Sequence, residues 1–183
     1  MSTIDDAAVF NAVGEQLAAF GTLKLADVVA ATGVSIGSLY HRYDSREGLL
    51  AAAWLDAVVS FQAHFLAELH SGGADAGERG AMATSRFCRA EPARARLLVC
   101  CRREQLINDK TPKGAKDRLD EANAVTYAAI KTFARDNGLN HQACMLGMVA
   151  YPLGAVRMYL PNREIPQEVD EFLAASYRSA ITL

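Results

Sequence analysis

The chain has 183 residues, 51% of them hydrophobic and 22% charged, with a formal net charge of −2. This profile excludes a disordered chain and a fibrous one, and the length suits one compact unit or a small module joined to a medium one. No apolar run reaches the roughly 18 residues of a membrane span, and the start MSTIDDAAVF is acidic where a secretory leader is basic, so the expected place is the cytoplasm. Cys88, Cys100, Cys101 and Cys144 show no CxxC spacing and are expected as reduced thiols.

Alternating patterns are nearly absent, and Ala, Leu, Glu, Arg and Gln dominate segments separated by Gly and Pro, so the expected class is all-α with about nine helices. The first is predicted over 4–20, with Val9, Val13, Leu17 and Phe20 on one face and Gly21 ending it. A short second helix over 25–31 turns Val28 inward and stops at Thr32-Gly33. Ser35 is placed to cap a third over 36–42, anchored by Leu39. Asp44-Ser-Arg-Glu47 reads as a capping box for a long fourth helix over 46–70, with Leu49, Leu50, Trp54, Val58, Phe61 and Phe65 as its apolar stripe. Ser71 to Gly80 holds four glycines and is expected as a loop; further helices are expected at 81–89, 92–107, 112–137, 140–160 and 166–181, with Pro152 kinking the penultimate one or displacing a backbone bond.

Two short helices joined by a turn at Gly33, with an apolar anchor on either side, have the spacing of a helix-turn-helix. A DNA major groove, about 12 Å wide, admits one helix, and a helix N-terminus aims free amides at phosphate. Spacing alone leaves an ordinary helical corner equally open.

The string LADVVAATGVSIGSLYHRYDSREGLLAAAW, from Leu25 to Trp54, resembles the DNA-binding domain of the tetracycline-repressor (TetR) family. Val28-Val29 is similar to the family's Ile-Ala pair, Thr32-Gly33-Val34-Ser35 to its Ala-Gly-Val-Ser turn, and Leu39-Tyr40-His41-Arg42-Tyr43 to its Leu-Tyr-x-x-Phe helix; Arg46 stands where Lys is usual. The resemblance implies an N-terminal helix-turn-helix domain over 1–45 and a C-terminal bundle over 46–183 for ligand binding and dimerisation. It further implies a transcriptional regulator, expected as a repressor, that binds a palindromic operator in double-stranded DNA as a homodimer and is released by a small-molecule effector. The candidate DNA contacts are then Ser35, Ile36, Gly37, Ser38, Tyr40 and His41, with Arg46 on a phosphate. Tyr40 has packing between helices as its other reading, and Arg42 is either a phosphate contact or a solvated charge.

Residues 1–50 carry three basic groups (Lys24, Arg42, Arg46) against six acidic ones (Asp5, Asp6, Glu15, Asp27, Asp44, Glu47), a net −3. DNA affinity depends on cations that displace counterions from phosphate, so few cations imply few such contacts. Asp5 and Asp6 stand where many relatives have a basic arm. The alternative reading is therefore a helical small-molecule binding protein with a vestigial DNA module. An enzyme is the weakest reading, because the sequence has no Ser-His-Asp arrangement, no HExxH and no Gly-rich phosphate loop. No cofactor, metal or membrane partner is expected.

In the later helices Trp54, Phe61, Phe65, Phe87, Tyr127 and Met145 are the candidate ligand-pocket residues, with a filled core as the competing reading. His64, Asn123, Tyr127 and Tyr151 are candidates for orienting a ligand. Seven arginines from Arg79 to Arg103 suggest an anionic ligand or partner, or a solvated face. Leu146, Val149, Leu153 and Val156 on one helix and Val169 and Phe172 on the next are the candidate dimer interface, with Gly147 and Gly154 permitting close approach.

Overall fold

The computed structural model describes residues 4–100, 111 and 113–182, all in helices or their connections. Nine helices are present among them: α1 (Asp6–Phe20), α2 (Leu25–Thr32), α3 (Ile36–Tyr43), α4 (Arg46–His70), α5 (Ala76–Ala90), α6 (Pro92–Cys100), α7 (Lys113–Asp136), α8 and α9 (Glu168–Ile181). Helix α8 is continuous through His141–Met145, a π-helical turn Leu146–Ala150 and Tyr151–Arg157. The expected end of the sixth helix at 107, Cys101, Arg102, Arg103, Pro112 and the side chain of Cys100 lie outside the described residues. Cys88 and Cys144 are buried and outside any disulfide.

The chain packs as two units, Met1–Val58 with Ala93–Leu119, and Val59–Pro92 with Asp120–Leu183. The expected division at residue 45 is one of role, and the packing units cut the chain elsewhere. Helix α4 gives Arg46–Val58 to the first unit and Val59–His70 to the second. It is also the one described helix long and apolar enough to pass as a membrane span, and over half of its apolar window is buried inside the protein.

In the first unit Val9, Val13, Val28, Leu39, Leu49, Leu50, Trp54 and Leu97 form one buried cluster. Asp5 caps α1, its Oδ1 accepting from the amides of Ala7 at 3.0 Å and Ala8 at 3.2 Å. The expected stripe of α1 fails at its end. Phe20 is 72% exposed, and Gln16 is buried instead. A buried amide needs a partner, and Gln16 Oε1 accepts from the Lys24 amide at 3.0 Å, satisfying the α1–α2 loop. Gly14 lets α6 approach: a Cβ there would lie 2.8 Å from the Ala93 carbonyl oxygen.

In the second unit Phe65, Leu69, Ile130, Ala134, Cys144, Met148 and Tyr177 share a core. The stretch expected as a loop up to Gly80 is helical from Ala76. Of its four glycines, Gly72 and Gly73 have positive φ in the connection, whereas Gly77 and Gly80 are helix-packing residues. Tyr177 of α9 fills the space at two glycines, since a Cβ at Gly77 would fall 2.1 Å from its hydroxyl oxygen and one at Gly147 2.9 Å from its ring. Burial raises the Tyr177 phenol to about 12. The π-helical turn ends just before Tyr151-Pro152, which is how α8 accommodates a proline without an amide hydrogen.

Four of the seven arginines in the arginine-rich run, Arg79, Arg86, Arg89 and Arg94, have carboxylate partners within the protein. Arg79 pairs with Glu68 and Asp75, and Arg94 with Asp56. Asp170 accepts from Ser85 Oγ at 2.5 Å, Arg86 Nε at 3.2 Å and Arg89 Nη2 at 2.7 Å. Burial pushes the Asp170 carboxyl up, but the bonds from Arg89 and Ser85 outweigh it and hold the group below its ordinary value.

Two outcomes follow for stability. Gly77→Ala and Gly147→Ala each force Tyr177 to shift and should lower the unfolding free energy in urea by about 1–3 kcal/mol. Because the folded-state pKa of Asp170 is depressed, its contribution is complete above the unfolded value of about 3.9 and lost as pH falls through the folded one. Asp170→Asn should therefore cost about 1.5–3 kcal/mol at neutral pH, and the gap from wild type should close below about pH 4 in acid unfolding followed by circular dichroism.

Candidate nucleic-acid interface

Helix α3 is held by local chemistry at both ends. Gly33 takes the left-handed conformation at φ 70° and donates its amide to the Val29 carbonyl at 2.8 Å, closing α2. Ser35 then caps α3, its Oγ accepting from the Ser38 amide at 3.1 Å and lying 2.8 Å from Ser38 Oγ. At the far end the cap of α4 is Ser45, whose Oγ accepts from the Gly48 amide at 2.9 Å. The capping box expected at Asp44 is thus replaced by a single cap one residue later, because Asp44 itself takes a positive φ of 64° to turn the chain. A Cβ at Gly48 would lie 1.9 Å from the Tyr43 carbonyl oxygen, so only glycine fits there.

Leu39 and Tyr43 are the buried residues of α3. Its other side is open: Ile36 is 50% and Tyr40 48% exposed, and Ser35, Gly37 and His41 are exposed with them. The structure therefore brings the sequence-predicted α3 residues onto the outer side of one short helix, with Ser38 half-buried at its N-terminal turn. At Gly37 a Cβ would meet only Ser35 Oγ, at 3.9 Å, so the absence of a side chain is not demanded by packing among the described residues.

Arg46 is committed in part to the protein. Its Nε donates to the Leu23 carbonyl at 3.1 Å, and Nη1 lies 3.6 Å from Glu47 Oε1. Arg42 is neither a simple solvated charge nor an unengaged phosphate contact. Its Nε and Nη2 bond the two carboxylate oxygens of Asp6, and the Tyr43 hydroxyl donates to Asp6 Oδ1 at 2.5 Å. The hydrogen bond from Arg42 holds the Asp6 carboxyl below its ordinary value, while burial and the Asp6 charge push the Tyr43 phenol up. Sequence reasoning missed this triad; the pairing joins residues 36 and 37 apart, which no local pattern marks.

Residues 16–53 match the model for bacterial regulatory proteins of the tetR family. The N-terminal module is a tetR-family domain. The whole chain also has the fold of two solved structures. One is a TetR family transcription regulator from Marinobacter aquaeolei VT8, with TM-score 0.72 and 18% identity over 96% of this chain and 94% of that one. The other is a putative TetR-family transcriptional regulator from Rhodococcus sp., with TM-score 0.67 and 20% identity over 97% of this chain and 96% of that one. No curated protein matches the chain.

The residues expected at a ligand pocket and a dimer interface are distributed as follows. In the second unit Phe65 and Phe87 are buried and Phe61 packs its ring against both, with ring centroids at 6.1 and 5.5 Å. Met145 packs on the same core as Phe65. Trp54 belongs instead to the core of the first unit, and Tyr127 is 49% exposed, edge-on to His141 at 4.7 Å. Val156 and Val169 are buried within the second unit, Leu146, Val149 and Leu153 are partly buried, and Phe172 is 70% exposed. Sequence reasoning missed Gln62, which is buried and donates to Asn123 Oδ1 at 3.2 Å.

Gly37 is the second residue of α3 and a Cβ there meets no close neighbour, so Gly37→Ala should leave the unfolding free energy unchanged or raise it by no more than about 0.5 kcal/mol in a urea titration. A loss would show that α3 needs the glycine for its own fold.

Proposed function

We propose that this protein is a homodimeric, ligand-responsive transcriptional repressor that acts in the cytoplasm and binds a palindromic DNA operator. The observation that carries the reading is the outer side of α3, where Ile36, Tyr40 and His41 are exposed around a glycine whose missing side chain leaves open space. Such a helix can lie against base edges, with Ser35 and Ser38 at its N-terminus near phosphate. Tyr40 and His41 read or brace the groove, and Arg46 offers a phosphate the edge of its guanidinium turned away from Leu23.

Homodimerisation is supported by the outer side of α8 and α9. Tyr151, Phe172, Ala175, Ser176 and Ser179 border a shallow groove of about 390 Å³, and a Cβ at Gly154 would meet none of the described residues within 4 Å. A second copy of the same surface covers the exposed sides of both helices and lets two recognition helices meet successive half-sites about 34 Å apart. The effector is an apolar molecule seated among Phe61, Phe65, Phe87 and Met145, oriented by His64, whose Nε2 is buried without a hydrogen-bond partner among the described residues. Helix α4 contributes to both units and is the element through which occupancy shifts the population away from the DNA-competent form.

The alternative, a small-molecule binding protein with a vestigial DNA module, is favoured by one observation: Arg42 and Arg46, two of the module's three cations, already have partners within the protein. Selection of the purified protein against random duplex DNA at low salt separates the readings. The repressor yields a palindromic duplex bound by two chains; no enrichment assigns the work to the bundle alone. On the enriched duplex, Tyr40→Ala should lower affinity about tenfold, about 1.4 kcal/mol, with an unchanged melting temperature. Gly154→Ala should shift sedimentation from dimer towards monomer while the chain stays folded, and an unchanged dimer would remove α8 from the interface.

A further inference from the structure

We infer that Asp6 is a positioning residue for the recognition helix: by clamping Arg42 and Tyr43 it fixes the roll of α3, and it withholds Arg42 from the DNA backbone. The inference rests on the DNA-binding reading above and adds to it the residue that governs its specificity.

The argument begins with how little holds α3. Leu39 and Tyr43, its buried residues, are four apart and so lie along one line of the helix surface. Contact along a single line resists displacement of a helix but opposes rotation about that line only weakly. Ile36 and Tyr40 form a second line, about 100° around the helix from the first, so a small roll swings both exposed side chains together. Arg42 leaves the helix about 100° from Tyr43, and its fork meets both oxygens of Asp6, at the start of α1. The clamp therefore acts off the Leu39–Tyr43 line, where a restraint stops roll. Tyr43 adds a second tie to the same carboxylate and packs its ring 5.9 Å from Phe10 of α1.

Two features show that the pair serves orientation. Arg42 and Asp6 are 52% and 36% exposed, and a pair so open to water adds little to overall stability. A bidentate guanidinium–carboxylate fork nonetheless fixes direction more tightly than a point charge does. The acidic residue beside it plays a different part, since Asp5 is engaged by the first amides of α1. The cost is electrostatic. An arginine held by a carboxylate releases no counterion from DNA, so the module gives up phosphate affinity in exchange for a fixed reading face.

The test compares wild type, Asp6→Asn and Arg42→Ala on the duplex enriched from the random library and on a shuffled duplex of equal length, across a salt series. The ratio of the two affinities is read on one protein sample, so any fraction that fails to fold cancels. Asp6→Asn should lower that ratio about tenfold, and it should steepen the salt slope on the shuffled duplex by about 0.9 as Arg42 becomes available to phosphate. Arg42→Ala should lower the ratio similarly while leaving the slope at the wild-type value. An unchanged ratio in Asp6→Asn overturns the positioning role, and a slope flattened by Arg42→Ala shows that Arg42 was on phosphate all along. If wild type prefers neither duplex, the DNA-binding reading itself fails and takes this inference with it.

Discussion

An eight-residue helix is not stable alone in water, because the hydrogen bonds of two turns do not offset the entropy of ordering them. The proposed reading face of this protein lies on such a helix, so all else in the first unit serves to hold α3 while leaving its outer side free. Leu39 and Tyr43 place it in the core, Ser35 and Gly33 define its beginning, and Gly48 lets the Tyr43 carbonyl come close enough to α4 for the next helix to start almost at once. Substituting any of these disturbs α3 first, since so short a helix has little stability of its own to fall back on.

The charge of the module looks different once its pairs are known. Counted as free charges, three cations and six anions repel a polyanion. In the folded chain Asp5 is a helix cap, Asp6 is bound by Arg42 and Tyr43, and Arg46 supports the α1–α2 connection through Leu23. The same holds in the second unit, where Arg86 and Arg89 converge on Asp170. Pairing leaves the net −3 of the module unchanged, but it decides which charged groups are turned towards a partner and which are held within the protein.

What was legible in the sequence follows from range. The helix-turn-helix depends on neighbours three or four residues apart, and so Gly33, Ser35, Leu39 and the span of α4 were all readable from spacing. Ser45 in place of Asp44 as the cap of α4 was not, since both are good caps and the choice is decided by the backbone turn at Asp44. Periodicity marks which residues are buried but not against what. Val156 and Val169, read as an interface stripe, are core within their own unit, whereas Phe172 from the same pattern is exposed. Trp54 and Tyr127 likewise left the expected pocket set, one to the core of the first unit and the other to the surface.

The glycines separate self-contained packing from surfaces that need something else. Gly14, Gly48, Gly77 and Gly147 are each pressed against backbone or the Tyr177 ring, so the fold itself explains them. Gly154 stands inside a helix, with open space among the described residues where a side chain would go. Gly37 and Gly114 share that openness but are each the second residue of their helix, where the backbone is least constrained. An interior helical glycine costs about 0.5–1 kcal/mol against alanine, and in the first group close packing offsets that cost. For Gly154 none of the described residues supplies a compensating contact. It lies on α8, one turn from Tyr151 at the groove with Phe172, so the surface proposed for a second copy is the one where the described packing leaves a deficit.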